Sequence, residues 1–418
     1  MIKKFYNLLI FLTGFSLLWQ TKIILRPEEI NYWEISLFFS MIFLFIFIIV
    51  FNKKLLLNFK YRNYLEKTLI ALVFLELFII ISIFFSPDIL LSLYRYLIFI
   101  LAILLYLIVK NFNFKQKKYF ISGVFLAGFF QAIIAFLQFI WQKSVASKYL
   151  GMAFHDAASL GTAVVESSSG RWLRAYGALD HPNVLGGVLA LICLWSAWFI
   201  MKYNFKSDWE RIFLWLVYLS TLAGLFFSFS RSAWLAFLLV KIILVLYFIF
   251  KKHYYKRVVL LVLSSILLLS PFVLIYNDLI STRLLSRGRV EQISINERQS
   301  DVREFSFKNY KHFLFGKGFG SYSLWQYIDD EEEKPAWNYQ PIHNFWLLFI
   351  FEVGIFAVLS FLAFLFFYIQ KVYKKSQKEF VLSLLTIIFF FIIFLFDHWV
   401  LTIPFGLWFL FSFLAIIE

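Results

Sequence analysis

Apolar stretches about 20 residues long recur along the whole chain, and they constrain its fold more than any other feature. Such a stretch, wound as an α-helix, spans the roughly 30 Å hydrocarbon core of a lipid bilayer. Apolar residues make up 62% of the chain and charged residues 16%, whereas soluble domains contain roughly 45–50% and about 25%. A soluble globular fold is therefore excluded.

The pattern predicts an all-α fold, a polytopic transmembrane helical bundle of about 12 spans. Strands are disfavoured because a membrane β-barrel alternates apolar and polar residues, whereas the apolar stretches here are apolar on every face. We expect a single integral membrane domain over residues 1–418. The predicted spans cover residues 5–25, 35–51, 68–86, 89–109, 119–141, 184–201, 212–229, 232–250, 258–276, 344–370, 380–396 and 401–417.

The distribution of lysine and arginine predicts that both termini are cytoplasmic, since basic residues favour the cytoplasmic side of a membrane. Basic runs such as residues 52–67 fall on the predicted inner side, and the short outer connections carry few basic residues. Two long connections, residues 142–183 and 277–343, are then outer loops. The formal net charge of +15 is thus explained by topology, and no nucleic-acid partner is predicted.

The first candidate site precedes the sixth predicted span, in the sequence RWLRAYGALDHPN of residues 171–183. Pro182 and Asn183 are residue types that begin helices, at N1 and at the N-cap respectively, so we expect a helix to begin here with Arg171 and Arg174 close by. A helix N-terminus and guanidinium groups together favour anion binding. The alternative is that these arginines contact lipid phosphates at the membrane interface.

The second candidate is Arg231, which lies between Ser230 and Ser232 in a tight turn that joins the seventh and eighth predicted spans. The following helix would place Arg231 at its positive dipole end, which disfavours a cation unless an anion neutralises it. This placement indicates an anionic ligand. Snorkelling of Arg231 to lipid headgroups is the alternative.

The third candidate is the long connection 277–343, which contains Arg298 and Arg303 and leads through His343 to Asn344 at the tenth predicted span. Histidine is the side chain whose charge changes nearest neutral pH, so His343 is a candidate general base. Asn344 is a candidate positioning residue. The alternative for His343 is an interfacial histidine beside the aromatic residues that follow it.

These motifs share one predicted membrane level, because the sixth, eighth and tenth spans all run from outside to inside. We therefore expect their basic residues to form one composite diphosphate pocket. Arg95 in the fourth predicted span is a further candidate, since a charge within a membrane is costly and is usually functional. Glu352 lies nine positions after His343, on the opposite helix face, and we expect it to serve helix packing or an ion pair.

No metal site is predicted. The single cysteine, Cys193, lies inside an apolar stretch, which excludes a cysteine-based metal site. The glycines of Gly316-x-Gly318-x-Gly320 lack a preceding strand, so they indicate a flexible turn instead of a nucleotide-binding loop. The remaining histidines that we considered have no partner at helical spacing: His155, His181, His312 and His398.

The motifs resemble those of a superfamily of bacterial polytopic membrane glycosyltransferases, which comprises O-antigen ligases, O-antigen polymerases and protein O-oligosaccharyltransferases. The resemblance runs from about residue 170 to about residue 360. Its elements are an arginine and a glycine before a Pro-Asn helix start, a Ser-Arg turn, an arginine before a Gly-x-Gly turn, and a His-Asn pair that opens a helix with Glu-x-Gly. The matching residues are Arg174, Gly177, Pro182, Asn183, Ser230, Arg231, Arg298, Gly316, Gly318, His343, Asn344, Glu352 and Gly354.

This resemblance implies an inverting transfer of a glycan from undecaprenyl diphosphate to an acceptor hydroxyl, without a metal or other cofactor. The reaction would take place at the outer face of the bacterial cytoplasmic membrane. Arg174, Arg231 and either Arg298 or Arg303 would stabilise the charge that develops on the diphosphate. His343 would take the proton of the acceptor, which is a sugar of a second glycan, a lipid A core sugar or a protein hydroxyl.

A flippase or transporter for a lipid-linked glycan is the alternative from another functional class. Transporters commonly have internal repeats and polar sites near the membrane midplane. No such repeat is visible in the sequence, and the polar motifs cluster at one predicted face. The pattern therefore favours the transferase.

Overall fold

The computed structural model describes residues 2–28, 30–58, 66–205, 207–251, 254–285, 288–304, 310–330 and 334–418, and these are mostly helical. The helices of the first half are α1 (Ile2–Ser16), α2 (Phe39–Asn58), α3 (Lys67–Ile83), α4 (Ile89–Lys110), α5 (Phe114–Trp141), α6 (Pro182–Lys202) and α7 (Asp208–Phe227). Those of the second half are α8 (Arg231–Ile249), α9 (Tyr255–Ile275), α10 (Asn277–Leu285), α11 (Arg289–Glu304), α12 (Tyr310–Phe315), α13 (Tyr322–Asp329), α14 (Phe345–Lys375), α15 (Gln377–Phe396), α16 (Trp399–Thr402) and α17 (Pro404–Ile417).

Among the described residues, eight helices are long and apolar enough to cross a membrane, namely α4 to α9, α14 and α15. Each of the eight coincides with a predicted span, so the prediction of a polytopic, mainly helical protein is confirmed. The other four predicted spans fall on α1, α2, α3 and α17, which are not among the eight. A total of about 12 spans therefore stays a prediction.

Local capping explains where several helices begin. The Asp88 side chain accepts a hydrogen bond from the Leu91 amide, at 2.9 Å, and caps α4. Pro182 is the first residue of α6, as its fixed backbone angle favours, and the preceding His181 accepts from the Asn183 amide through Nδ1, at 3.1 Å. The predicted position of Pro182 at N1 of α6 is thus confirmed, whereas the prediction of Asn183 as the N-cap is wrong, because His181 caps the helix and Asn183 lies within its first turn.

Three short antiparallel hairpins lie between helices, formed by β1 (Lys22–Arg26) with β2 (Ile35–Phe38), β3 (Lys143–Ser144) with β4 (His155–Asp156), and β5 (Val164–Ser167) with β6 (Gly170–Leu173). The first hairpin corrects the sequence prediction, because residues 22–25 and 35–38 were expected in helical spans. These short runs are rich in isoleucine, a β-branched residue that favours strands, and periodicity cannot distinguish a short apolar strand from a helix.

The chain forms two compact units, each built from separate parts of the sequence. The first unit comprises Met1–Thr21, Lys118–Gln299 and Leu385–Ile393. At its core α6 is almost entirely buried and packs against α7, α8 and α9.

The second unit comprises Lys22–Lys117, Ser300–Leu384 and Phe394–Glu418. In it α14 packs along α3 and against α12, and α17 packs along α4. Gly354 interrupts α14 with a φ of 82°, which makes a kink nine residues after the helix begins at Phe345. The expected single membrane domain over residues 1–418 stays a prediction.

The two long predicted loops carry regular structure. Residues 142–183 contain the hairpins β3–β4 and β5–β6, and residues 277–343 contain α10 to α13. Their placement on the outer side of a membrane stays a prediction.

Candidate functional site

Arg174 lies between β6 and α6 in the sequence and is buried, with 5% of its surface exposed. Its Nε donates a hydrogen bond to the Ser228 carbonyl, at 3.0 Å, and its Nη2 donates to Oδ1 of Asn183, at 2.6 Å. Both acceptors are uncharged, so these bonds orient the guanidinium group without neutralising it. The sequence motif of Arg174 and Asn183 is thus one hydrogen-bonded pair.

The turn between α7 and α8 is a scaffold for two arginines. Its residue Phe229 has a φ of 47°, a left-handed conformation that is rare for a large side chain. The Ser228 carbonyl accepts from Arg174, and the Phe229 carbonyl accepts from Nε of Arg283, at 2.9 Å. Arg231, the first residue of α8, is half-buried directly after this turn.

Arg283 and Glu291 form a buried ion pair that the sequence analysis missed. Arg283 lies in α10 and is 4% exposed, and Glu291 lies in the first turn of α11 and is fully buried. Nη1 of Arg283 lies 3.2 Å from Oε1 of Glu291. A sequence signal was present, since Arg283 lies in the same long connection, residues 277–343, as Arg298.

The charges of four arginines interact, and we call Arg174, Arg231, Arg283 and Arg298 the guanidinium cluster. Burial, and then the charge of Arg283, hold the pKa of Arg174 well below its usual range, with Arg231 acting in the same direction. Burial lowers the pKa of Arg283 to about 10, with Arg231 and Arg298 adding to the effect and Glu291 opposing it. Like charges buried together are unfavourable unless an anion joins them, so the cluster is suited to bind one.

Helix α11 contributes one face to this cluster. Glu291 and Arg298 are seven residues apart, which is close to two helical turns, so both side chains lie on the same face of α11. Oε2 of Glu291 and Nε of Arg298 are buried and have no hydrogen-bond partner among the described residues. Arg298, Arg231 and Arg174 were all predicted as anion ligands, and the structure brings their charges together with that of Arg283.

Two other predicted anion ligands lie elsewhere or are not described. Arg171 lies on β6, where its Nε is 3.5 Å from Oε1 of Glu166 and its Nη1 donates to the Ala158 carbonyl, at 3.3 Å. The side chain of Arg303 lies outside the described residues. For both, a role in anion binding stays a prediction.

Arg95 lies in the second unit and binds backbone carbonyls. Its Nη1 donates to the Thr402 carbonyl, at 2.6 Å, and its Nη2 donates to the Tyr32 carbonyl, at 3.0 Å. Its aliphatic part occupies the space where a side chain at Gly320 would lie. Arg95 therefore joins three separate segments of the second unit, whereas the sequence analysis expected it to bind diphosphate, a role that stays a prediction.

Glu352 is buried just before the kink of α14, and the glycine-rich segment 316–320 packs against it. The Glu352 carbonyl accepts from the Gly318 amide, at 3.0 Å, and the Phe351 carbonyl accepts from the Lys317 amide, at 2.8 Å. The expected flexible turn is therefore hydrogen-bonded to α14. A small cavity beside it is lined by Tyr32, Arg95, Gly320, Ser323, Glu352 and Thr402.

His343 is half-buried at the start of α14, beside a second histidine. Its ring contacts that of His398 edge to face, with the ring centres 5.3 Å apart. Nδ1 of His398 lies 2.9 Å from Oγ1 of Thr402, and Oδ1 of Asp397 accepts from the His398 amide. No functional role was predicted for His398, although Asp397 and His398 form a polar pair between two predicted apolar spans.

Asn344 fixes the helix start beside His343. Its Oδ1 accepts from the amides of Trp346 and Leu347, each at 3.0 Å, and its Nδ2 donates to the Leu395 carbonyl, at 3.2 Å. The predicted position of Asn344 at the beginning of the tenth predicted span is confirmed as the cap of α14.

Residues 215–362 match a family model described as O-antigen ligase. The chain carries an O-antigen ligase domain. The matched segment of this O-antigen ligase domain includes Arg231, Arg283, Arg298 and His343, whereas Arg174 precedes it. No curated protein matches the chain.

The O-antigen ligase domain and the apolar helices support a multi-pass membrane protein of the bacterial inner membrane with a glycosyltransferase-like activity. The match to O-antigen ligases implies two classes of partner, a lipid-linked glycan and an acceptor molecule. The resemblance drawn from the sequence motifs is thus confirmed at the level of the family.

Proposed function

We propose that this protein transfers a glycan from undecaprenyl diphosphate to an acceptor hydroxyl at the outer face of the bacterial cytoplasmic membrane. The observation that carries the proposal is the guanidinium cluster, in which Arg174 and Arg283 both bind the turn that precedes Arg231, and Glu291 pairs with Arg283. A diphosphate leaving group gains negative charge as it departs, and preorganised cations stabilise that charge. The cluster supplies such cations without a metal ion.

Arg174, Arg231 and Arg298 are the proposed ligands of the diphosphate, with Arg303 as the alternative for Arg298 and with Arg171 and Arg95 as further candidates. Guanidinium groups bind phosphoryl oxygens through two parallel hydrogen bonds. For Arg174, the support is a side chain oriented by two neutral acceptors, the Ser228 carbonyl and Oδ1 of Asn183.

His343 is the proposed general base. It takes the proton of the acceptor hydroxyl while the hydroxyl oxygen attacks the anomeric carbon from the face opposite the diphosphate. A new carbon–oxygen bond forms, the bond from the anomeric carbon to the diphosphate oxygen breaks, and the diphosphate leaves with the electron pair. Attack from the opposite face inverts the configuration at the anomeric carbon. The proposed positioning residues are Asn183, Asn344, which caps the adjacent helix, and Glu352.

The proposed topology has about 12 spans, both termini in the cytoplasm, and residues 142–183 and 277–343 on the outer side. With this topology, the guanidinium cluster and His343 lie on the outer side of the membrane, where the proposed transfer from the lipid-linked glycan takes place. A second glycan, a lipid A core sugar or a protein hydroxyl each provides a suitable acceptor.

The proposal is tested in a strain that lacks the gene, complemented with wild-type protein, His343→Ala or His312→Ala. We expect His343→Ala to abolish transfer and to leave undecaprenyl-linked glycan accumulated at the outer face, since no base remains to take the proton. His312 lies in α12 beside Phe85 and serves as the control, with transfer retained.

The length and the membrane side of the accumulated glycan are measured, together with the amount of protein. Full transfer by His343→Ala would show that His343 is not the general base. Glycan that remains on the cytoplasmic face in the deletion strain, and is released normally by His343→Ala, would favour a flippase over a transferase.

A further inference from the structure

Glu291 is an acidic residue that contacts the guanidinium cluster through Arg283. It is fully buried, Oε1 lies 3.2 Å from Nη1 of Arg283, and Oε2 has no hydrogen-bond partner among the described residues. A buried carboxylate with an unused oxygen is costly, so its retention calls for an explanation beyond one ion pair. The Glu291 carboxylate also interacts electrostatically with Arg174 and Arg231, two of the proposed diphosphate ligands.

The packing around Glu291 restricts its carboxylate. A Cβ atom at Gly288 would collide with Oε2 of Glu291, so the absence of a side chain at position 288 leaves room for the carboxylate. Arg283 is held from its other side by the Phe229 carbonyl, at 2.9 Å. The Phe229 carbonyl and Glu291 therefore hold the Arg283 guanidinium group from two sides.

The geometry points to Glu291 as the residue that limits the affinity of the guanidinium cluster for diphosphate, so that the spent diphosphate carrier dissociates after transfer. This inference rests on the proposed function. Four arginines without an opposing charge would bind the diphosphate product more tightly than turnover allows. Glu291 removes one unit of positive charge from the cluster and competes with the phosphoryl oxygens for Arg283.

The test is equilibrium binding of inorganic pyrophosphate to the purified full-length protein, measured by titration calorimetry. We expect Glu291→Gln to bind pyrophosphate about tenfold more tightly than wild type, because a nearby negative charge has been removed. Glu210→Gln is the matched control, since Glu210 pairs with Lys118 at 2.6 Å in the same unit but is exposed. Its binding of pyrophosphate should equal that of wild type.

A second variant keeps the test decisive if Glu291→Gln does not fold. Gly288→Ala leaves the charge in place but displaces the carboxylate from Arg283, so pyrophosphate binding should again be tighter. In steady-state transfer, each variant should show a lower KM for the lipid-linked donor, a lower kcat, and stronger inhibition by the diphosphate product.

The outcomes separate the two proposals. If wild type binds pyrophosphate and the folded variants bind it equally or more weakly, Glu291 only holds Arg283 in place and the inference is overturned. If wild type does not bind pyrophosphate at all, the proposed function fails and this inference fails with it.

Discussion

Neutral acceptors orient two buried arginines of the candidate site. Arg174 donates to a carbonyl and an amide oxygen, and Arg283 donates to a carbonyl as well as to Glu291. Such contacts fix the direction of each guanidinium group and leave positive charge available to a ligand. At the scale of the residue, the shape of the guanidinium group matters as much as its charge.

Arg231→Lys tests this point, because lysine keeps the charge and loses the planar fork that binds two oxygens. We expect donor affinity to fall about tenfold with the protein still folded. The control is Arg257→Lys. Arg257 lies at the start of α9, donates to the Met201 and Tyr203 carbonyls, and is not a proposed diphosphate ligand. Donor binding is measured on both variants, and an unchanged affinity in Arg231→Lys would argue against a phosphate contact.

Helix ends position the candidate groups at the scale of the element. The turn before α8 presents two carbonyls to arginines, and the cap of α14 holds the backbone beside His343. The kink of α14 at Gly354 then makes room for the segment that contains Gly316. Each element therefore combines a structural role with the placement of a candidate functional side chain.

Asn344→Ala removes the cap of α14, which accepts from two amides. We expect a loss of about 1 kcal/mol of stability and a reduced kcat, because His343 precedes the cap directly. Ser207→Ala is the matched control, since Ser207 caps α7 by accepting from the Trp209 amide, at 3.3 Å. Thermal stability and transfer rate are compared, and equal transfer rates in the two variants would contradict a positioning role for Asn344.

Gly354→Ala tests the kink. Alanine is strained at the φ of 82°, and its Cβ would collide with the Leu314 carbonyl oxygen, so we expect a loss of about 3 kcal/mol or more. Gly161→Ala separates backbone strain from steric collision. Gly161 has a φ of 80°, so alanine is strained there too, but a Cβ atom at this position would have nothing within 4 Å. The control should lose only about 1 kcal/mol. Both are measured as thermal stability in detergent, and equal losses would show that the contact with Leu314 is unimportant.

Topology belongs to the scale of the whole molecule. The chain has one cysteine, Cys193, and it is buried, so a Cys193→Ala protein is a clean background for single new cysteines. We expect Ser169→Cys to react with a membrane-impermeant maleimide in intact cells, because Ser169 is exposed in a predicted outer loop. Ser207→Cys, exposed before α7, should react only after the membrane is opened. The reverse pattern would invert the proposed orientation.

The sequence by itself determined the mainly helical, polytopic class, the starts of α6 and α14, and the similarity to O-antigen ligases. It did so because apolar length, capping residues and short motifs are local properties that act within one segment of the chain. It mistook residues 22–25 and 35–38 for helix, since a short apolar run has no period that identifies it and pairing between strands decided the outcome.

Only the tertiary structure decided which charges meet. The bonds of Arg174 and Arg283 to the turn before α8 and the contact of His343 with His398 depend on how distant segments pack. Arg95 shows the same limit, because its carbonyl partners belong to Tyr32 and Thr402, far away in sequence. A sequence lists the charged groups, but the burial that gives each charge its cost and its partner exists only after packing.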